Sequence, residues 1–390
     1  MSDETAFLYD PARADFADRA YEIYRVLRDD HPVYRNEERG SWALSRYGDV
    51  RDAASDPETF SSEGTSISQG LLPMIQQMDP PRHHSLRNLL WKAFTPKRVA
   101  AMEPRVRELA RGLVDGFIER GECDLLHAFA SQLPSLVIGE LIGIPPERRA
   151  AFLGWTEALI TANPRKDWET NPFAEIYSEF GKLLEDRRHE RRDDLMSALI
   201  DAELDGERLS QEELLGFCFL LVVGGNDTTT NLIANGAVLL ARHPDQRSEL
   251  VRAPALIPQA VEEILRFDSP TQALPRKVTR DVEIHGTKIR AGEEVSLVWG
   301  AANHDERCFA DPDRFDIHRE DTRHLALGHG VHFCMGAHLA RLEGRVSFEE
   351  LLARLPAYEL TREPAWQTSA WARAYASAPI AFEAGIRSEP

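Results

Sequence analysis

Apolar positions keep a helical period over most of residues 85–265. In MEPRVRELARGLVDGFIERG (102–121) and FAEIYSEFGKLLEDRRHE (173–190) they recur three and four residues apart, the spacing of one helix face. Ser210-Gln-Glu-Glu213 reads as a capping box, in which a serine and a glutamate three residues on satisfy each other's orphan backbone donors. The helix it opens is expected to run from 211 to 241, where His243-Pro244 stops it. Strand-like alternation clusters in KVTRDVEIHGTKIRAGEEVSLVWG (277–300), with Gly286 and Gly292 as turn points. The tail WQTSAWARAY (366–375) is expected to be β structure. The pattern predicts a mainly α protein with a small β region. No internal repeat or low-complexity linker breaks it, so one domain over residues 1–390 is expected, with no fused reductase or ferredoxin domain.

Composition narrows the function classes. With 43% hydrophobic and 28% charged residues, a chain of 390 residues can bury a large core. Its 46 basic against 64 acidic residues give a formal charge of −18, which disfavours broad contact with nucleic acid or anionic membranes. No stretch approaches the roughly twenty apolar residues of a membrane span. The acidic, polar start MSDETAFLYDPARADF has no basic region or apolar segment of a secretion signal. Cys123, Cys218, Cys308 and Cys334 are scattered without CxxC spacing, so a reduced, cytoplasmic protein is expected rather than one with disulfides or a zinc site.

Three stretches carry candidate chemistry. LLVVGGNDTTTNLI (220–233) sets two glycines inside a helix, where each costs about 1 kcal/mol relative to alanine. They mark either a kink or close packing, or a place where Gly224 and Gly225 let a flat ligand lie against the helix. Asp227 and Thr228 beside them form a carboxylate–hydroxyl pair able to move protons. In GHGVHFCMG (328–336) the cysteine is a metal ligand, a nucleophile, half of a disulfide or a small buried hydrophobe. Glu263-Ile-Leu-Arg266 places a carboxylate and a guanidinium on one helix face. The same spacing recurs at Glu22/Arg25 and Glu108/Arg111, so only its place among the other motifs gives it meaning.

Read in order, these segments resemble the bacterial cytochrome P-450 superfamily of haem-thiolate monooxygenases over nearly the whole chain. DPPRHHSLRNLLWKAFTPKRV (79–99) is similar to the family's C-helix segment, and GGNDTT (224–229) to the oxygen-activation segment of its long central helix. EEILR (262–266) resembles its E-x-x-R helix, AANHDERCFADPDRFDIHR (301–319) the following meander, and LGHGVHFCMG (327–336) the haem loop. The resemblance implies the cytochrome P-450 fold, a helical prism around a buried haem b (iron protoporphyrin IX). It implies that Cys334 is the axial thiolate on haem iron, which favours O–O cleavage. Gly328, Gly330 and Gly336 would bring backbone close to the porphyrin, with Gly224 and Gly225 on the central helix. His332, His83, Arg87 and Arg276 would contact the haem propionates, His83 being favoured over His84 by its spacing to Arg87. Asp227 and Thr228 would be the acid–alcohol pair that delivers protons. Glu263, Arg266 and Arg319 would form a structural ion-pair network. One departure stands out: Leu327 occupies the position seven before the cysteine, where the family usually has an aromatic.

The implied activity inserts one atom of O₂ into an apolar small molecule by hydroxylation or epoxidation. A terpenoid, steroid, fatty acid or polyketide suits a pocket that includes Leu220, Leu221, Gly224, Thr271, Ala273 and Trp371. No GxGxxG loop is present, so electrons would come from NAD(P)H only indirectly, through a reductase and a ferredoxin-type donor. Arg82, Arg87, Lys97, Arg98, Arg341 and Arg345 are candidates for a basic dock for that donor. The alternatives are a peroxide-driven haem-thiolate peroxygenase, which would not need Asp227 and Thr228, and a non-catalytic haem sensor or carrier.

Overall fold

The computed structural model describes residues 7–13, 15–68, 72, 74–91, 94–149, 151–154, 172–192, 194–204 and 207–388. Its helices are α1 (Phe16–Asp30), α2 (Tyr47–Ser55), α3 (Arg82–Trp91), α4 (Pro96–Asp115), α5 (Gln132–Ile142), α6 (Pro172–His189), α7 (Leu195–Ile200), α8 (Gln211–Val222), α9 (Thr228–Arg242), α10 (Pro244–Arg252), α11 (Ile257–Phe267), α12 (Trp299–Ala302) and α13 (Ala337–Arg354). The chain forms two compact units that alternate along the sequence. One holds the described residues of 1–69, 262–334 and 366–374, the other those of 70–261, 335–365 and 375–390.

The first unit is built on a mixed five-stranded sheet. Strands β4 (Glu122–Asp124), β5 (Glu203–Leu204) and β6 (Glu207–Arg208) belong to the other unit; β1 (Val33–Asn36), β2 (Ser41–Leu44), β3 (Phe60–Ser61), β7 (Leu274–Val278) and β10 (Glu294–Leu297) lie in the order β1-β2-β10-β7-β3. Only β10 and β2 run parallel, with Val295 opposite Trp42 and Leu297 opposite Leu44. Alternate side chains leave opposite faces of a strand. Trp42, Leu44, Val295 and Leu297 therefore meet Val50, Phe60, Trp299 and Leu325 in one buried cluster. Ala43 faces the other way, to Phe16, Ala20, Tyr24 and Leu27 of α1 and to Val298. The 277–300 alternation resolves into the end of β7, a hairpin of β8 (Val282–Ile284) and β9 (Thr287–Ile289), and β10. Its two-residue turn, His285-Gly286, has positive φ at both positions, 50° and 76°, the geometry that matches the strand twist.

The second unit is helical. The capping box is present: Ser210 Oγ accepts from the Glu213 N–H at 3.2 Å, and a Glu213 carboxylate oxygen accepts from the Ser210 N–H at 2.9 Å. It opens a helical run from Gln211 to Arg242 that widens into a π-turn at Val223–Asp227. Nearly the whole circumference of α9 is buried, from Thr229 to Leu240, and this packing carries a helix that its glycines would weaken. The period seen from 102 begins earlier, at Pro96, because Thr95 caps α4 by accepting from the Arg98 N–H at 3.4 Å. At Gly344 of α13 an added Cβ would lie 3.1 Å from Leu232 and 3.3 Å from Val261, so a missing side chain sets how closely the helices approach.

The tail meets the expectation of β structure only in part. Residues 366–375 form no continuous strand but hold β-bridges at Trp366, Ala372 and Tyr375, the Ala372 bridge being to Thr271. Backbone bonds from Gln272 N–H to the Trp371 carbonyl (2.7 Å) and from Arg373 N–H to the Pro270 carbonyl (3.0 Å) tie the tail down instead. Arg373 is buried in an ion pair with Asp268, its guanidinium stacked 3.9 Å from the Trp366 ring centroid and 4.6 Å from that of Tyr21.

Candidate active site

In the sheet-based unit, Cys334 closes a loop of two left-handed glycines, Gly328 (φ 72°) and Gly330 (φ 69°). Its backbone N–H donates to the Leu327 carbonyl at 2.8 Å, while Gly328 N–H donates to the Leu325 carbonyl at 2.9 Å. The two bonds hold the loop from both ends, and the thiol side chain is half-buried. None of the four cysteines is in a disulfide. A Cβ on Gly330 would sit on the Ala54 carbonyl oxygen at the end of α2, so this glycine serves backbone packing against α2. Gly336 caps α13 with an ordinary φ of −81°. His332 faces Ser62, Nε2 to Oγ 3.0 Å, a partner 270 positions away with no sequence signal. Arg276 on β7 is buried and donates to the Pro275 carbonyl at 2.8 Å.

Glu263 is 2% exposed and accepts four hydrogen bonds. They come from Arg266 Nε (2.7 Å) and Nη2 (2.8 Å), Arg319 Nε (3.0 Å) and the Asp316 N–H (2.9 Å). Arg266 also donates to the carbonyls of Asn303 (2.9 Å) and Pro312 (2.8 Å). Asn303, which sequence reading missed, bonds Ser269 Oγ at 2.8 Å and takes the Leu325 N–H at 2.6 Å, two residues before the Leu327 carbonyl that receives Cys334. The network therefore anchors the segment from which the cysteine loop springs.

Among the proposed pocket residues of this unit, Thr271 is half-buried and bridged to the tail, and Trp371 is half-buried in it. Ala273, at 1% exposure, packs with Tyr24, Val298 and Ala301 in the core under α1.

In the helical unit, Gly224, Gly225 and Asp227 lie in the π-turn and Thr228 begins α9. Thr228 Oγ1 donates to the Gly224 carbonyl at 2.8 Å. The Asp227 carboxylate has no ion-pair partner among the described residues, and crowding by protein atoms pushes it up to about 6. The two glycines differ. A Cβ on Gly225 would stand 2.6 Å from Ile138 Cδ1 of α5, so close packing claims that position. A Cβ on Gly224 would meet only Leu220, at 3.5 Å. Leu220 is half-buried and Leu221 buried at 8% exposure, while Val223 beside them is 40% exposed.

His83 and Arg87 stand one turn apart on α3, the histidine buried and the arginine half-buried, whereas His84 is exposed. Burial and then the Arg87 charge hold the His83 imidazole down at about 4. Of the dock candidates, Arg82 is paired with Glu213, and Arg345 with Glu103 (2.6 Å) and Glu349 (3.0 Å). Lys97 and Arg98 are exposed at the start of α4, with no ion pair among the described residues.

The sequence matches the family model described as "Cytochrome P450" over residues 167–253 and 255–363. It is 41% identical over 353 residues to a vitamin D(3) 25-hydroxylase from Pseudonocardia autotrophica, covering 87% of this chain and 87% of the relative. It is 40% identical over 348 residues to a steroid C26-monooxygenase from Mycobacterium tuberculosis, again with 87% of each covered. Among solved structures it is similar to cytochrome P450 CYP109Q5 from Chondromyces apiculatus (TM-score 0.90, 40% identity, 97% and 98% covered). It is also similar to CYP109E1 from Bacillus megaterium in complex with testosterone (TM-score 0.86, 33% identity, 93% and 99% covered).

Proposed function

The chain belongs to the cytochrome P450 family, has that family's fold and is a monooxygenase, and from this premise we propose that it hydroxylates a steroid-class molecule on a haem b ligated by Cys334. The observation that carries the reading is the cysteine loop. A half-buried thiol outside any disulfide sits at the end of a segment braced by Leu327, Asn303 and the Glu263 network. That is a rigid, accessible soft donor, the ligand type haem iron takes in haem-thiolate enzymes.

The donor set fits the rest of the cofactor. Arg276 and Arg87 are cations and His332 and His83 imidazoles, the groups that suit two propionates. Gly224 supports the same fit, because its missing side chain leaves a bare stretch of helix beside Leu220. Bound haem supplies O₂ binding and O–O cleavage. The chain relays the protons: Asp227, raised to about 6, can take one up and release it close to neutral pH, and the Thr228 hydroxyl, which donates to the Gly224 carbonyl, keeps its lone pairs for a neighbouring donor. One substrate C–H, one O₂, two electrons and two protons give the alcohol and water. The acid–alcohol pair favours O₂ with electrons from a ferredoxin-type donor and an NAD(P)H-dependent reductase over peroxide, which carries its own electrons and protons. Relatives named for steroid and vitamin D(3) hydroxylation support the steroid class within the wider range of terpenoids, fatty acids and polyketides.

The test is a carbon monoxide difference spectrum of the reduced, haem-loaded protein. The red-shifted thiolate band is expected in the wild type and absent in Cys334→Ser; its absence from the wild type would overturn the assignment. Titrating steroids, fatty acids and monoterpenes against the ferric spectrum then ranks substrate classes, steroids being expected to shift the spin state at the lowest concentration.

A further inference from the structure

A surface cavity of about 470 Å³ in the sheet-based unit lies at the start of α2, lined by Arg46, Arg51, Arg307 and Arg323 and by His285 of the β8–β9 turn. Two carboxylates, Asp49 and Asp305, share the lining. Four guanidiniums against two carboxylates reverse, in one place, the sign of a chain whose formal charge is −18. The volume is that of a small-molecule site.

Both carboxylates are already engaged. Asp305, 1% exposed, accepts from the N–H groups of Tyr47 (2.8 Å) and Arg307 (3.0 Å) and from Arg307 Nη1 (3.1 Å). Asp49 Oδ2 lies 2.8 Å from His285 Nε2. Arg307 is spent on Asp305, Glu306 and Asp29. The other three arginines keep donors in hand. Arg46 is half-buried with no ion pair among the described residues, and its Nε donates to the Arg28 carbonyl at 2.8 Å, which pins the guanidinium at the end of α1. Arg51 and Arg323 each give Nε and Nη2 to one carboxylate, Asp52 and Asp321 respectively, leaving Nη1 without a hydrogen bond among the described residues. Neither carboxylate lines the cavity, and the two arginine side chains are 46% and 72% exposed, so these pairs hold their cations weakly.

Arg51 and Arg323 also converge. Burial raises the Tyr47 phenol and the Cys308 thiol, both in the cavity wall, and the two arginines oppose that rise at each. Tyr47 Oη donates to the Arg323 carbonyl at 2.7 Å, which fixes the backbone from which that guanidinium reaches. A guanidinium fork takes two oxygens of a phosphate at once, and several forks from separate segments suit a group with more than one negative charge. We propose that this cavity binds a small ligand through a phosphate or diphosphate group, with Arg46, Arg51 and Arg323 as its donors. The end of α2 contributes nothing to it, because Asp305 already holds the Tyr47 N–H. The bound anion joins α2 to the segment that carries Arg323. The far end of α2 bears the Ala54 carbonyl against which Gly330 packs, so occupancy stiffens a support of the cysteine loop.

Isothermal titration of the haem-loaded protein with sodium pyrophosphate at fixed ionic strength tests this without turnover, so its failure is separate from failure of the monooxygenase assignment. Saturable one-site binding is expected, with a higher melting temperature in the presence of the anion. Arg51→Gln and Arg323→Gln each remove only an exposed ion pair and should melt like wild type without ligand, yet each should weaken binding about tenfold or more, the loss of a charged hydrogen bond. Arg362→Gln, at an exposed arginine of the other unit, should bind as wild type does. Adenosine diphosphate separates the sources: tighter binding than pyrophosphate marks an organic diphosphate, and equal or weaker binding marks the free anion. Heat without saturation, a signal that follows ionic strength alone, or unchanged affinity in both cavity variants would overturn the proposal.

Discussion

Thr228 Oγ1 donates to the Gly224 carbonyl, 2.8 Å away, across the π-turn that interrupts the long helix. The bond fixes the hydroxyl's rotamer and occupies its proton with the backbone, leaving the oxygen lone pairs available to accept from elsewhere. Thr228→Ala should still consume O₂ and NAD(P)H but release peroxide, with product per electron pair falling about 10²-fold, the lower end of a positioned proton donor's contribution. Thr228→Ser should keep most of the coupling. Equal coupling in Thr228→Ala and wild type, measured by product and peroxide yield, would remove the hydroxyl from proton transfer.

Asp227 makes a pH-dependent contribution to stability. Its carboxyl is raised to about 6 in the folded protein, against about 3.9 in an unfolded chain, so the folded state binds this proton more tightly. The stability it lends is complete below about pH 4 and is lost as pH rises through 6. Asp227→Asn should match wild type at pH 4 and exceed it at pH 8 by about 1–2 kcal/mol, allowing for the side chain's partial exposure. Thermal melts at the two pH values decide it, and a variant no more stable at pH 8 would refute the raised carboxyl.

The two left-handed glycines of the cysteine loop should not be equally sensitive. Either one replaced by alanine incurs about 1–2 kcal/mol for positive φ. At Gly328 the added Cβ would meet nothing nearer than the His332 carbonyl at 3.4 Å, whereas at Gly330 it collides with the Ala54 carbonyl. Gly330→Ala should therefore lose more stability and more haem than Gly328→Ala, read by urea unfolding and by the haem absorbance of purified protein. The reverse order would mean that the α2 contact does not hold the loop.

Much of this could be read from the chain. The capping box, the period of α6 and the Gly286 and Gly292 turns are local signals, and each acts within a few residues of where it is written. The tail could not be read that way. The Trp-rich run suggests β structure, but its short bridges are fixed by hydrogen bonds between its own ends and to residues 270–272, almost a hundred positions earlier. The burial of Ala273 is no more local: the packing of α1 decides which face of its segment is core. Ser62 lies in no motif and nothing singles out Asn303 within the 301–319 segment, since their value lies in the partners the fold gives them.

The basic dock contracts once ion pairs are counted. Arg345 is tied to Glu103 and Glu349, and Arg82 to Glu213, whereas Lys97 and Arg98 stand exposed at the start of α4. Charge reversal at Lys97 and Arg98 should slow reduction by a ferredoxin and flatten its salt dependence while leaving the melting temperature in place. Arg345→Glu should instead lower the melting temperature. Stopped-flow reduction at two ionic strengths separates these outcomes, and unchanged rates for the Lys97/Arg98 reversal would exclude that surface.

Gly224 and Gly225 are adjacent, yet they meet different surroundings. Gly225 faces Ile138 so closely that an added methyl group would overlap its Cδ1, while Gly224 faces only Leu220 at an ordinary distance. Gly225→Ala should destabilise the protein, and Ile138→Val, which trims the opposing side chain, should recover much of the loss. A coupling of about 1 kcal/mol or more in the double-mutant cycle would be the signature of direct contact. Gly224→Ala should instead gain up to about 1 kcal/mol of helix propensity. Its cost should fall on the ligands: a methyl group on the bare stretch of helix should weaken haem or substrate binding in spectral titrations. If Gly224→Ala bound both as well as wild type, the glycine would serve the turn's geometry rather than a ligand.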